Sequence, residues 1–378
     1  MGLFKKEQSY LGVDIGKGSI KIVELKNDKG RARLVTYGYI DQIPEEVESK
    51  DFINSPEYTG KIIKQICNKA KMESKKVIAA LPIFSVFSSI LNLTNVSKKE
   101  LENPKLISGR VEWEAKKIIP LPIEEMILDW KLLDEEKKAE EAPTVAVKPE
   151  EKKIEEKSIS SEKKGGEVRI LLTAAPKKLV QKYLDIFKAA GLELISLETE
   201  AFALIRSLVG VDKSPLMILD SGAGRTSISI INKGIPYLNR SIDVGGATIT
   251  KALSVRLGFG IPKAEQFKID LQSAGAYDEI LKVISTTVSP VVNEIRYSLN
   301  MYKSHEGGTA SDIDKIIVTG GSALLVNFAD YLSKSLNMRV FVGDPWARVI
   351  YPEELKPLLD ELGPRFAVAI GLAMCDIE

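Results

Sequence analysis

Short apolar runs alternate with turn-forming residues along the chain, and the period of each run predicts an element. Tyr10–Asp14, Ile20–Leu25 and Arg33–Ile40 read as three strands. The turns between them are too tight for parallel crossovers, so they form an antiparallel meander. Ile62, Ile63, Ile66 and Ala70 follow at helical spacing, and Lys76–Leu81 returns as a strand that Pro82 ends. Ser97–Ile118 reads as one helix and Met126–Leu133 as a strand. After a polar gap come strand Val168–Ala174, helix Pro176–Ala190, strand Leu192–Leu197 and helix Ala201–Leu208. A second half opens at Leu216–Asp220 and repeats the plan with Ser227–Ile231, Tyr237–Val244 and helix Thr248–Leu257. Strand Ile316–Thr319 and helix Ala323–Leu336 follow. Interleaved strands and helices predict an α/β fold.

In the polar gap, Asp134 to Glu167, 19 of 34 residues are charged, 11 acidic and 8 basic. Such a stretch buries too little apolar surface to offset its ordering entropy, so it is expected to be a disordered insertion. The whole chain has 378 residues, long enough for two or three domains at about 150 residues each. Its 53 Lys and Arg nearly cancel 52 Asp and Glu, leaving no global field to recruit nucleic acid. Cys67 and Cys375 are far apart, with no paired spacing for zinc or a disulfide framework, which points to a reducing cytoplasm. The single histidine, His305, lies in a polar run read as a loop. Ser-His-Asp hydrolases and histidine metal sites are thereby excluded. No apolar run is long enough to span a bilayer.

The informative feature is a repeat. Asp14-Ile15-Gly16-Lys17-Gly18-Ser19 and Asp220-Ser221-Gly222-Ala223-Gly224-Arg225-Thr226 each end an apolar strand, turn, and start another. Glycine lets backbone N–H groups converge on phosphate oxygens, and Ser19 and Thr226 add hydroxyls. Carboxylates beside phosphates need a cation between them, so Asp14 and Asp220 are expected to hold Mg²⁺. A third piece, Ile316-Ile317-Val318-Thr319-Gly320-Gly321-Ser322, sets bare backbone before a helix, as does Asp243-Val244-Gly245-Gly246. One such turn alone is equally an ordinary hairpin; two at matched positions suggest a duplicated domain around one site.

In order and spacing, these motifs resemble the first phosphate, second phosphate and adenosine motifs of the actin-like ATPase superfamily. Within it the chain is most similar to the type IV pilus assembly PilM family, with the FtsA cell-division family near. The resemblance implies a duplicated actin-like (ribonuclease H-like) α/β fold of two lobes around a cleft for ATP and Mg²⁺. It implies lobe I (IA) from 1–83, 168–211 and 344–378, and an inserted subdomain (IC) over 84–167 with the charged loop 134–167. Lobe II (IIA) would take 212–260 and 301–343, with a small helical IIB over 261–300.

By the same resemblance, Asp14, Gly16, Lys17, Gly18 and Ser19 face the β- and γ-phosphates. Gly222, Ala223, Gly224, Arg225 and Thr226 hold them from the other side. Gly245 and Gly246 belong to the same cradle, and Gly320, Gly321 and Ser322 border the adenosine. Glu265 and Lys268 match a helix that contacts ribose and base, although an i,i+3 surface ion pair reads equally well. Glu198 matches the acid that orients water or Mg²⁺, with Glu200 its rival. The implied function is an ATP-binding scaffold, at most a slow ATPase, of the type IV pilus machine. Its partners would be the N-terminal cytoplasmic tail of a PilN-like bitopic membrane protein and pilus motor or platform proteins, with self-association also open. It would be cytoplasmic, peripheral to the inner membrane through that partner. The alternatives are an FtsA-like filament protein, for which the terminal Leu-Ala-Met-Cys-Asp-Ile-Glu lacks a basic face, and a small-molecule kinase with Asp243 as base.

Overall fold

The computed structural model describes residues 9–42, 51–101, 103–133, 166–274, 278–305 and 312–377. The chain divides into two compact units, Met1–Val86 with Lys178–Glu378, and Phe87–Lys177.

The first unit opens with β1 (Ser9–Ile15), β2 (Ser19–Asp28) and β3 (Arg31–Asp41), paired antiparallel as the meander requires. Helix α1 (Pro56–Lys69) starts at a proline, where a missing N–H is harmless, and buries Ile62, Ile63 and Ile66. Strand β4 (Lys76–Leu81) then lies parallel to β1.

The second unit comprises β5 (Phe87–Val96), α2 (Lys98–Leu101), α3 (Pro104–Ile118), β6 (Met126–Leu132) and β7 (Gly166–Pro176). Its antiparallel sheet runs β5-β7-β6. Ile107, Val111 and Ala115 of α3 share a core with Leu93, Ile170 and Leu172. The single helix expected over Ser97–Ile118 is two helices, because Pro104 forces Asn103 into extended backbone. The Asn103 side chain then caps α3 by accepting from the Lys105 N–H at 3.1 Å. The strand expected at Val168–Ala174 is the middle strand of this sheet, so the unit runs to Lys177. Of the charged insertion, 134–165 lie outside the described residues, whereas Gly166 and Glu167 open β7.

Helix α4 (Lys177–Ala190) leads back to β8 (Glu193–Thr199), parallel to β4. The helix expected over Ala201–Leu208 is one turn of α5 (Glu200–Leu204) continued by a π-helical turn, Ile205–Val209. The second half follows with β9 (Leu216–Ser221), β10 (Thr226–Asn232), β11 (Ile235–Ile242), α6 (Gly246–Leu257), α7 (Ile261–Ala274) and α8 (Asp278–His305). His305, read as a loop residue, closes α8. Then come β12 (Lys315–Thr319), α9 (Phe328–Leu336), β13 (Arg339–Val342), β14 (Val349–Ile350) and α10 (Lys356–Ala373). The helix expected from Ala323 starts only at Phe328, after a 3₁₀ turn over Gly321–Leu324 and a left-handed Asn327.

The two sheets of this unit are ordered β14-β3-β2-β1-β4-β8 and β11-β10-β9-β12-β13. In each, a meander of three strands is extended by a parallel strand beside the first (β4, β12), so the repeat read in the motifs is a repeat of topology. From Phe366 to Ala373 helix α10 is apolar all round, as a stretch buried on every side must be, whereas its first turns are exposed and carry Lys356, Asp360 and Glu361. Phe366, Ala369 and Ile370 pack with Val23 and Leu25 under the first sheet. Val368 and Leu372 join a core drawn from both sheets, with Ile78, Ile218 and Ile317.

Candidate functional site

The two hairpins turn in the same register, Ile15 opposite Ile20 and Ser221 opposite Thr226. In each, the first glycine N–H donates to the carbonyl three residues on, Gly16 to Ser19 and Gly222 to Arg225, both at 2.9 Å. Asp14 and Asp220 therefore occupy equivalent places, one residue before the end of β1 and β9. Both line one cleft of about 1010 Å³ between the two sheets. Gly16, Lys17, Gly18 and Ser19 line it on one side; Gly222, Ala223, Gly224 and Arg225 line it on the other. A Cβ on Gly224 would overlap the aliphatic chain of Lys17, so the absent side chain lets the two hairpins approach.

The third motif completes the wall with Gly320, Gly321 and Ser322. Gly320 has φ +83°, and a Cβ there would sit 2.5 Å from Asp220 Oδ1, so this corner tolerates glycine alone. Its N–H donates to Pro364 O at 2.8 Å, and Thr319 Oγ1 donates to the same carbonyl at 2.8 Å. Helix α10 thus fixes the corner. Gly246 lines the cleft at the start of α6, whose first N–H groups reach Gly222 O (2.9 Å) and Ala223 O (2.7 Å). Lys268 and Glu265 also line it. They are not a bland surface pair: Lys268 Nζ is buried, 2.7 Å from Glu265 Oε2, and donates to Thr250 Oγ1 (2.9 Å) and Gly246 O (3.1 Å). Burial holds its pKa below the ordinary lysine value, against the opposing pull of Glu265.

Three expected residues lie outside the lining. Thr226 is buried and donates to Val244 O at 2.7 Å, fastening the second hairpin to the start of α6. Gly245 caps α6. Glu198 is turned away: its carboxylate pairs with Arg206 at 2.9 Å and accepts from Cys375 Sγ at 2.7 Å. The rival, Glu200, faces the cleft instead, because β8 ends at Thr199 and the turn of α5 swings the next carboxyl inward. Glu200 Oε2 accepts the Ile83 N–H at 3.0 Å.

The cleft floor is acidic. Burial first, then Asp220 and Asp14, push the Glu200 carboxyl up to about 8. Burial first, then Asp14, push Asp220 up to about 6. Lys21 answers part of this charge, with Nζ 3.0 Å from Asp14 Oδ2. The sequence reading missed Lys21, although its place opposite Asp14 in the β1–β2 register was deducible from the hairpin. In the second hairpin the equivalent position opposite Asp220 is Ser227, so the cation belongs to the first half alone. Phe84 was also missed; its ring lies 3.9 Å from the Arg225 guanidinium carbon. Arg225 further pairs with Asp243, the nominated kinase base, so that carboxylate has a cation partner.

A sequence profile for the type IV pilus assembly protein PilM matches residues 12–165 and 156–377. The chain belongs to the PilM family. The fold of this PilM-family chain is similar to a solved "PilM-PilN type IV pilus biogenesis complex", with a TM-score of 0.76, 24% identity and 98% of each chain covered. It is also similar to the ethanolamine utilization protein EutJ from Carboxydothermus hydrogenoformans, at TM-score 0.54 and 16% identity over 97% of this chain and 89% of that one. In sequence it is 22% identical to the cell division protein FtsA of Neisseria meningitidis serogroup B (strain ATCC BAA-335 / MC58), covering 99% of this chain and 92% of the relative. FtsA of Bacillus subtilis (strain 168) is 23% identical over 71% of this chain and 59% of that protein. The PilM-family fold is thus the actin-like duplicated α/β fold that the motifs resembled. No helix among the described residues is long and apolar enough to cross a membrane.

Proposed function

We propose that this PilM-family chain binds ATP with Mg²⁺ in the cleft and works as a scaffold of type IV pilus assembly. The observation that carries the reading is the pair of matched Asp-Gly hairpins lining one cleft. Lys17, Gly18, Ser19 and Lys21 would meet the phosphates from one side, and Ala223, Gly224 and Arg225 from the other. Gly320–Ser322 would border the adenosine, with Glu265 and Lys268 toward ribose and base. Lobes IA and IIA then correspond to the six- and five-stranded sheets.

Among the described residues no three acidic, histidine or cysteine side chains group closely enough to hold a bare metal ion, so the fit is to a hydrated Mg²⁺ carried on the phosphates and facing acidic oxygens. Asp14, Asp220 and Glu200 are hard oxygen donors, and two of them are held neutral-leaning by burial and mutual repulsion. When bound, Mg²⁺ would neutralise these carboxylates and the phosphates together. Glu200 rather than Glu198 is the acid we assign to orient a water or the ion, a reading supported by Glu200 lining the cleft while Glu198 pairs with Arg206. Nothing in the chemistry asks for fast turnover: a scaffold that changes state needs only different affinities for its states.

The partner we assign is the N-terminal tail of a PilN-type inner-membrane protein, which would hold the chain at the cytoplasmic face. The test titrates Mg·ATP into the protein by calorimetry, then adds a PilN-tail peptide with and without nucleotide. Asp14→Asn and Asp220→Asn should each weaken Mg·ATP at least about tenfold, or 1.4 kcal/mol. Unchanged affinity in both variants would overturn the cleft assignment. Failure of the peptide to bind would overturn the partner.

A further inference from the structure

The segment Pro82–Val86, by which the chain leaves β4 for the second unit, is held by two side chains of the cleft. Glu200 takes the Ile83 N–H at 3.0 Å, and Arg225 lies over the Phe84 ring at 3.9 Å. Pro82, Phe84, Glu200 and Arg225 all line the cleft. Phe84 is 54% exposed, and the Arg225 guanidinium covers one face of its ring. Arg225 in turn is oriented by Asp243, whose side chain is 77% exposed and therefore gives a weak hold. The two clamping groups come from different halves: Arg225 from the turn of the second hairpin, Glu200 from the start of α5.

We propose that Pro82–Val86 is a relay that reads whether the nucleotide in this cleft carries a terminal phosphate, a regulatory role that rests on the nucleotide reading above. A guanidinium gains more from a phosphate oxyanion than from a half-exposed ring, because the bond is charge-assisted and less screened in the cleft. A γ-phosphate therefore draws Arg225 off Phe84. Mg²⁺, which accompanies a diphosphate as well, would draw the Glu200 carboxyl off the Ile83 N–H with either nucleotide, so Arg225 carries the discrimination. With a triphosphate both clamps are open; with a diphosphate only the Glu200 clamp is. With a diphosphate, Arg225 keeps its ring and the segment stays held. The second unit's first strand, β5, starts at Phe87, one residue past the relay.

Hydrogen exchange of the full chain, measured by mass spectrometry, tests this with Mg·ADP and with the Mg²⁺ complex of a non-hydrolysable ATP analogue. Peptides covering Ile83–Val86 should exchange about tenfold faster with the triphosphate than with the diphosphate, since local opening sets the rate. Phe84→Leu should exchange fast with either nucleotide. Arg225→Lys, which keeps the charge and loses the planar stacking, should narrow the difference. Calorimetry on the same samples separates the two claims. If both nucleotides bind and the segment exchanges equally with each, the relay is wrong and the nucleotide site stands. If neither binds at millimolar concentration, the site assignment fails and takes the relay with it.

Discussion

Gly245→Ala is the sharpest structural test of how the second hairpin is held. An alanine Cβ at this position would lie 2.7 Å from each of three backbone atoms, Gly222 O, Ala223 O and Arg225 N. No rotamer relieves the contact, because every neighbour is main chain. Normal contact distances are roughly 3.5 Å, so the hairpin turn and the start of α6 must part by more than half an ångström. That strains the Gly246–Gly222 and Ala247–Ala223 hydrogen bonds, at 2.9 and 2.7 Å. Overpacking of this kind costs about 1–3 kcal/mol. For a unit this large, roughly 2 °C of melting temperature is lost per kcal/mol, giving a fall of about 2–6 °C by calorimetric scan. Because the displaced atoms belong to the proposed phosphate loop, Mg·ATP affinity should fall with stability. Gly222→Ala is the control for the thermal effect: its Cβ meets only Arg225 O, at 3.4 Å, an ordinary contact. A Gly245→Ala protein with parental melting temperature and parental affinity would show that α6 does not brace the hairpin.

Three more outcomes are expected. Glu200 and Asp220 have carboxyls raised from 4.5 to about 8 and from 3.8 to about 6, so their protonated forms stabilise the fold. That contribution is complete below about pH 4 and is lost as pH climbs toward 8; the nucleotide-free melting temperature should fall across this window, and Glu200→Gln should flatten its upper part. Lys268→Met removes the cation beside Glu265, which keeps only its Thr250 hydroxyl contact; chemical denaturation should show a loss of roughly 2–3 kcal/mol, below the fully buried range because Glu265 is partly exposed. Gly109→Ala, inside α3 with open space around its Cβ, should raise stability by about 0.5–1 kcal/mol and leave nucleotide binding unchanged.

What could be read in advance follows the range of the interactions. Turn chemistry is local, so the Asp-Gly hairpins and the Gly320–Gly321 corner appear in the sequence and stand in one cleft in the structure. Element boundaries depend on a competition that periodicity ignores. Pro104 splits a run that looks continuous, and Asn327 delays α9 with a left-handed residue. Side-chain direction at a strand-to-helix junction is harder still. Glu198 and Glu200 are two residues apart, yet only the second enters the cleft, because the strand ends between them and Arg206 captures the first. The Phe84–Arg225 contact joins residues 141 positions apart, and no local pattern announces it. Strand β5 was invisible for the same reason: its partner, β7, lies beyond the charged insertion.

Helix α10 sets the order in which the molecule is completed on the ribosome. Its residues contribute to the core under the first sheet and to the core shared by both sheets. Neither core closes until residues 356–373 have emerged from the exit tunnel, although the strands they cover are made much earlier. The Phe87–Lys177 unit, whose apolar cluster is drawn from its own residues, can consolidate while translation continues. The apolar cluster between Met217 and Leu332 likewise takes no residue from α10, so only the core under the first sheet and the shared core wait for that helix.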